Sequence, residues 1–170
     1  MRIVGGAWRG RTIKAPAGSA VRPTLDRVRE AWLSIVQLSI PGARVLDLFA
    51  GSGALGIEAL SRGAASAEFV DSDPRSLAVL RSNLTALGAT PLATVTRADA
   101  LEFVDALPSD AFDVVFADPP YASDASVRLA NRWLREPFSA VIGIEHPRST
   151  VMPAGGDTRR YGDSGVTFYR

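Results

Sequence analysis

The chain has 170 residues, 46% hydrophobic and 22% charged, the composition of an ordinary globular domain with length for one sizeable core. No run approaches the roughly 18 apolar residues that cross a bilayer, and Met1–Gly6 lacks the apolar stretch of a secretory signal. Cysteine is absent, which excludes a disulfide framework, a thiolate nucleophile and a Cys-ligated zinc. A cytoplasmic protein that contacts no membrane is expected. The net charge of +1 conceals an asymmetry: residues 1–29 carry Arg2, Arg9, Arg11, Lys14, Arg22, Arg27 and Arg29 against Asp26 alone, leaving a net −5 on the remainder. A basic arm on a mildly acidic body suits a polyanion, although a solvated tail has the same composition.

Two short β-prone stretches, Arg2–Val4 and Arg11–Lys14, flank Gly5–Gly10 and predict a hairpin. A Pro/Gly/Ser loop follows over 15–23. Leu25, Val28, Trp32, Ile35, Val36 and Leu38 then recur mostly at helical spacing, with Thr24 or Asp26 as a cap. From Arg44 strands alternate with helices. Strands are predicted over Arg44–Phe49, Ala67–Val70, Leu92–Thr96, Phe112–Ala117 and Ala140–Ile144. Helices are predicted over Ala54–Arg62, Pro74–Leu87, Ala100–Leu107 and Ser126–Leu134. Arg159–Tyr161 and Val166–Tyr169 read as a terminal hairpin. This order predicts an α/β fold with a Rossmann-like, mostly parallel sheet finished by an antiparallel pair. Residues 1–23 would form a basic arm and 24–170 the main domain.

The segment Val45–Gly56 places Gly51, Gly53 and Gly56 at G-x-G-x-x-G spacing, directly after a strand and opening a helix. That context is the one a nucleotide fingerprint requires: Gly51 for the tight turn, Gly53 for ligand approach, Gly56 for close helix packing. Asp71, 20 residues after Gly51, lies at the end of the next strand, where a carboxylate accepts hydrogen bonds from ribose hydroxyls. Asp47 separates two kinds of ligand. An acid in an apolar strand is costly unless paired; it would repel the pyrophosphate of NAD and attract the ammonium and sulfonium of S-adenosylmethionine. Backbone amides could satisfy it equally. Asp99, before Ala100, could accept from an adenine amino group or cap the helix that follows.

Asp118-Pro119-Pro120-Tyr121 follows a buried strand and so lies at the same sheet edge as Gly51 and Asp71. Its two prolines fix consecutive φ angles and supply no N–H donors, which leaves a rigid loop of carbonyls and one carboxylate. Such a loop suits an –NH₂ group. Asp118 and the Pro119 carbonyl would hold the amine hydrogens of a base, and Tyr121 would stack on a base that is unpaired or flipped out. His146, the one histidine, reads as packed or hydrogen-bonded, and no metal site is expected. Trp8 in the arm would stack on RNA or pack the hairpin onto the body. Trp32 and Trp133 read as core.

These motifs together resemble the RsmD family of small-subunit ribosomal RNA guanine-N2 methyltransferases over nearly the whole chain. Arg22–Ala31 is similar to the family's N-terminal signature, Val45–Ala64 to its glycine-loop motif and Asp118–Tyr121 to its catalytic motif; Tyr161-Gly162-Asp163 also fits. The resemblance implies a seven-stranded class I methyltransferase that uses S-adenosylmethionine and makes N2-methylguanine in 16S rRNA. It also implies a monomer acting on an assembling small ribosomal subunit. The implied cofactor contacts are Arg22, Thr24, Asp47, Ala50, Gly51, Ser52, Gly53, Asp71, Asp99 and Ala100. Asp118, Pro119, Pro120 and Tyr121 form the implied catalytic set, and Arg2, Trp8, Arg9, Arg11 and Lys14 the RNA contacts. The span from Tyr121 to the fifth strand is short beside the family pattern. Rival readings are a DNA or RNA adenine or cytosine amino-methyltransferase, an NAD-dependent oxidoreductase, and a non-catalytic RNA-binding assembly factor.

Overall fold

The computed structural model describes residues 1–16 and 23–170, with side chains from Asp26 onward in the second stretch. Helix α1 (Pro23–Ile35) precedes a regular alternation: β1 (Arg44–Leu48), α2 (Ala54–Ser61), β2 (Ser66–Asp71), α3 (Pro74–Leu87), β3 (Ala93–Arg97), α4 (Ala100–Asp105), β4 (Phe112–Ala117), α5 (Ala125–Arg135) and β5 (Ser139–Pro147). The hairpin β6 (Asp157–Tyr161) and β7 (Ser164–Tyr169) closes the chain. The seven strands form one sheet in the order β3-β2-β1-β4-β5-β7-β6. Strands β1 to β5 run parallel, and β7 is antiparallel to both of its neighbours. The expected mostly parallel sheet with an antiparallel terminal pair is therefore the architecture observed.

Strand periodicity divides the core into two layers. Val45, Phe69, Val114 and Phe116 face Trp32, Ile57, Leu77 and Leu80 of α1, α2 and α3. Leu46, Val70, Val115 and Ile142 face Val104, Leu129 and Trp133 of α4 and α5. Trp32 and Trp133 are core, as expected, with the Trp32 ring edge-on to Phe116 and Phe168. Local chemistry sets the helix ends. Asp73 accepts from the Arg75 N–H to cap α3, Pro74 opens it, and Gly88 at φ +69° closes it.

Most boundaries shift by one or two residues from the sequence reading, and two shifts have consequences. Helix α1 stops at Ile35 and a single 3₁₀ turn, Gln37–Ser39, follows; Leu38 is 93% exposed, so it lies off the buried stripe. Strand β5 runs three residues beyond Ile144, because its antiparallel ladder with β7 continues to the Pro147–Ser164 pair. That extension carries Glu145 and His146 into the sheet.

The N-terminal hairpin forms through an Arg2–Thr12 bridge. It is built into the body. Ile3 and Ile13 are buried in the same core as α1, and Trp8 packs partly buried against it. Glu58 of α2, 1% exposed, accepts from the backbone of Val4 and Gly5 while paired to Arg62. Ser61 bonds Gly5 and Trp8, and Asn83 of α3 bonds Lys14 through both its donor and its acceptor. Gly6 sits at φ +76°, where an added Cβ would lie 1.8 Å from the Ser61 carbonyl oxygen. Gly6→Ala is expected to cost more than about 1 kcal/mol and to unseat the hairpin. Limited proteolysis should then cut within the first 14 residues while the main body stays intact.

Candidate active site

The sheet order reverses between β1 and β4, and open α/β sheets bind ligands in the crevice outside the strand ends at such a point. The sequence-predicted residues converge there. Asp47 is paired in register with Phe116 of β4, which puts Asp118 one step beyond the end of that ladder. The glycine turn leaves the tip of β1, and Asp71 ends the neighbouring β2.

Asp71 organises the turn. Its Oδ2 accepts from the Gly51 N–H at 2.8 Å and its Oδ1 from the Asp73 N–H at 2.9 Å, while Ala50 N–H donates to the Val70 carbonyl. Each carboxylate oxygen keeps a free lone pair, so the same group can shape the turn and still accept ribose hydroxyls. Phe49 at φ +58°, Gly51 at +55° and Gly53 at +84° put three left-handed residues into five positions. For Phe49 that conformation costs about 1 kcal/mol. A Cβ on Gly51 would meet nothing within 4 Å, which leaves open space beside the backbone. The bare side of Gly53 faces elsewhere: a Cβ there would lie 2.3 Å from Leu80 Cδ1, so this glycine serves packing as well as the turn. Gly56 has the packing function expected, with Phe69 Cε1 at 2.4 Å from a built Cβ.

Asp47 is 2% exposed and accepts from the Gly56 N–H at 2.9 Å. Burial pushes its carboxyl up to about 8, only partly offset by that bond, and the charges of Asp118 and Asp71 push it the same way. Asp118 opens to solvent, yet protein crowds it closely. Desolvation and the charge of Glu145 hold it above the ordinary carboxylate range. The cleft is thus ringed by acids. Pyrophosphate would be repelled from it; a sulfonium and an ammonium would be drawn in. S-adenosylmethionine, the methyl donor that the sequence motifs imply, fits this donor set.

The tetrapeptide loop projects beside the cleft. Pro119 is buried and Pro120 exposed. Tyr121 is 49% exposed, and its hydroxyl donates to Glu145 Oε1 at 2.9 Å. Glu145, 5% exposed in β5, is the one acid of this cluster that the sequence reading missed. The signal for it was the one that flagged Asp47, an acid in an apolar strand, but the strand had been ended at Ile144. Desolvation raises the Glu145 carboxyl as well. His146 points the other way: its ring nitrogens lie 2.8 Å from Thr167 Oγ1 and 2.9 Å from the Pro147 carbonyl, a packed histidine as expected.

The remaining predicted contacts are dispersed. Asp99 caps α4 through Oδ1, accepting from Leu101 and Glu102, and Ala100 is buried behind it. Ser52 is buried and its carbonyl accepts from Asn83. Arg2, Arg9, Arg11 and Lys14 are exposed along the hairpin, with Arg11 donating to the Ala86 carbonyl. Arg22 and the Thr24 side chain lie outside the described residues.

A sheet of this order, with an acidic glycine-lined cleft at its switch point and an acceptor-rich loop beside it, defines a class I methyltransferase. A family model described as Conserved hypothetical protein 95 matches residues 1–170, and the chain belongs to this family, the RsmD family that its motifs resemble. It is 39% identical over 181 aligned residues to the putative rRNA methyltransferase YlbH of Bacillus subtilis, covering all of this chain and 98% of that one. It is 37% identical to ribosomal RNA small subunit methyltransferase D of Escherichia coli, over the full chain and 88% of the relative. Among solved structures, the putative methyltransferase yhhF from Escherichia coli superposes with a TM-score of 0.85 at 35% identity, covering 99% of this chain and 96% of that one.

The buried acid generates a stability test. With its carboxyl raised, folded Asp47 holds a proton that the unfolded chain releases from about pH 4 upward. The folded state therefore loses stability as pH rises toward about 8. Asp47→Asn keeps an acceptor for the Gly56 N–H and does not titrate. Its melting temperature should exceed the wild type's by at least about 3 °C at pH 8.5, with a smaller gap at pH 5. A gap that does not change with pH would show Asp47 ionised throughout.

Proposed function

We propose that this methyltransferase transfers a methyl group from S-adenosylmethionine to the exocyclic N2 amine of a guanine in 16S rRNA, presented by an assembling small ribosomal subunit. The observation that carries the reading is the juxtaposition of the acidic glycine-lined cleft with the Asp118–Tyr121 loop at one sheet edge. The names of the relatives, which specify small-subunit ribosomal RNA, supply the substrate class.

S-adenosylmethionine supplies an electrophilic methyl on a sulfonium. The chain's own residues do the rest. Asp71 and the open backbone at Gly51 receive the ribose side, with Ala50, Ser52, Gly53, Asp99 and Ala100 completing that wall. Asp47 faces the positive charge, and Arg22 or Thr24 holds the methionyl carboxylate. Asp118 and the Pro119 carbonyl accept the two amine hydrogens and aim the nitrogen lone pair at the methyl carbon, while Pro120 stiffens the loop. The exocyclic nitrogen is a weak nucleophile because its lone pair is delocalised into the ring, so orientation does much of the work. Asp118 accepts the proton that the amine must lose, a task favoured by its raised proton affinity. Tyr121 stacks on the base through its half-exposed ring.

Arg2, Arg9, Arg11 and Lys14 grip phosphates, with Trp8 beside them. A monomer acting in the cytoplasm is part of the same reading, the location being the one that a ribosomal substrate favours. The acidic cleft disfavours the oxidoreductase reading, and the intact tetrapeptide disfavours a non-catalytic assembly factor.

The direct test is transfer of labelled methyl groups to small ribosomal subunits from a strain that lacks the enzyme, followed by mapping of the modified base. Asp118→Ala should abolish transfer while binding S-adenosylhomocysteine normally by calorimetry; full turnover by that variant would remove the loop from the chemistry. Arg9→Ala should weaken RNA binding with little change in sequence preference and should reduce the log–log salt slope by about 1.

A further inference from the structure

Glu145 occupies an expensive position. It is a carboxylate 5% exposed, in a strand whose neighbours Ile142, Ile144 and Val141 are all buried and apolar. Its carboxylate accepts over 2.9 Å from the phenol O–H of Tyr121, the aromatic of the catalytic loop, with the Ser164 hydroxyl of β7 also within reach. Tyr121 has no comparable support from packing, being 49% exposed. The buried acid thus anchors an otherwise open ring by its tip.

We propose that Glu145 is a positioning residue of the methyl-transfer site: it clamps the Tyr121 ring as a wall of the base-binding cleft. The proposal rests on the assignment of Asp118–Tyr121 as the amine-binding loop.

One physical argument supports it. A tyrosine held by a hydrogen bond to a carboxylate has its ring oriented before the base arrives, so stacking does not bear the cost of ordering it. Phenylalanine would offer the same face without the tether. His146, next to Glu145 in β5, turns away to Thr167 and takes no part in the clamp.

Four variants test the clamp, on the protein of 170 residues with small ribosomal subunits as substrate. Glu145→Gln keeps an acceptor for the Tyr121 hydroxyl and removes the charge. Its KM for the subunit should stay within about 2-fold of wild type, since the bond to Tyr121 is kept. Glu145→Ala and Tyr121→Phe should each raise that KM at least about 5-fold. The double variant should be no worse than the poorer single, because both break one bond. S-adenosylhomocysteine affinity and melting temperature report whether each protein is folded, and the isosteric Gln variant serves if the Ala variant is not. Wild-type KM in Glu145→Ala, additive effects in the double variant, or a KM in Glu145→Gln as poor as in Glu145→Ala would each overturn the proposal. Retained turnover in Asp118→Ala would instead overturn the loop assignment beneath it, so the two failures are distinguishable.

Discussion

A carboxylate buried at the tip of β1, held by one backbone N–H, is the constraint on which the site depends. The bond from Gly56 to Asp47 ties the first strand to the first turns of α2, and it can form only because α2 lies close against the sheet, where a side chain at Gly56 would strike Phe69. Given that contact, the left-handed turn between strand and helix has few ways to run. Asp71 then fixes it from the next strand by taking the Gly51 N–H. The same geometry that satisfies one acid leaves three more, Asp71, Asp118 and Glu145, around a single crevice. Acids crowded in this way resist ionising together, and a cation entering among them would favour their charged forms.

Much of this was legible in the chain. Strand and helix periods gave the alternation, and β4 and α3 have the predicted bounds. The glycine spacing and the acids at the strand ends placed the cleft because a parallel sheet puts those ends on one edge. What escaped notice depended on partners distant in sequence. Strand β5 reads as ending at Ile144 because Glu145, His146 and Pro147 are poor strand formers, and only the ladder with β7 holds them extended. Losing those three residues hid Glu145. Glu58 escaped for a related reason: a charged residue on a short helix looks solvent-facing until the hairpin folds over it.

The hairpin changes how the chain's charge asymmetry is to be understood. Composition alone suggests a basic tail trailing from an acidic body. The structure gives the segment a buried pair of isoleucines, a bridge, and bonds to Glu58, Ser61 and Asn83. Its cations are therefore displayed on a stiff frame, while the backbone that carries them is satisfied by α2 and α3.

Helix α2 is therefore shared. Its first turn receives the glycine loop and its last turn receives the hairpin through Glu58 and Ser61, so one helix of 8 residues joins the exposed cations of the hairpin to the acidic cleft. A disturbance at either end of α2 is therefore felt at the other, because the seat of the hairpin and the shape of the glycine loop share one support.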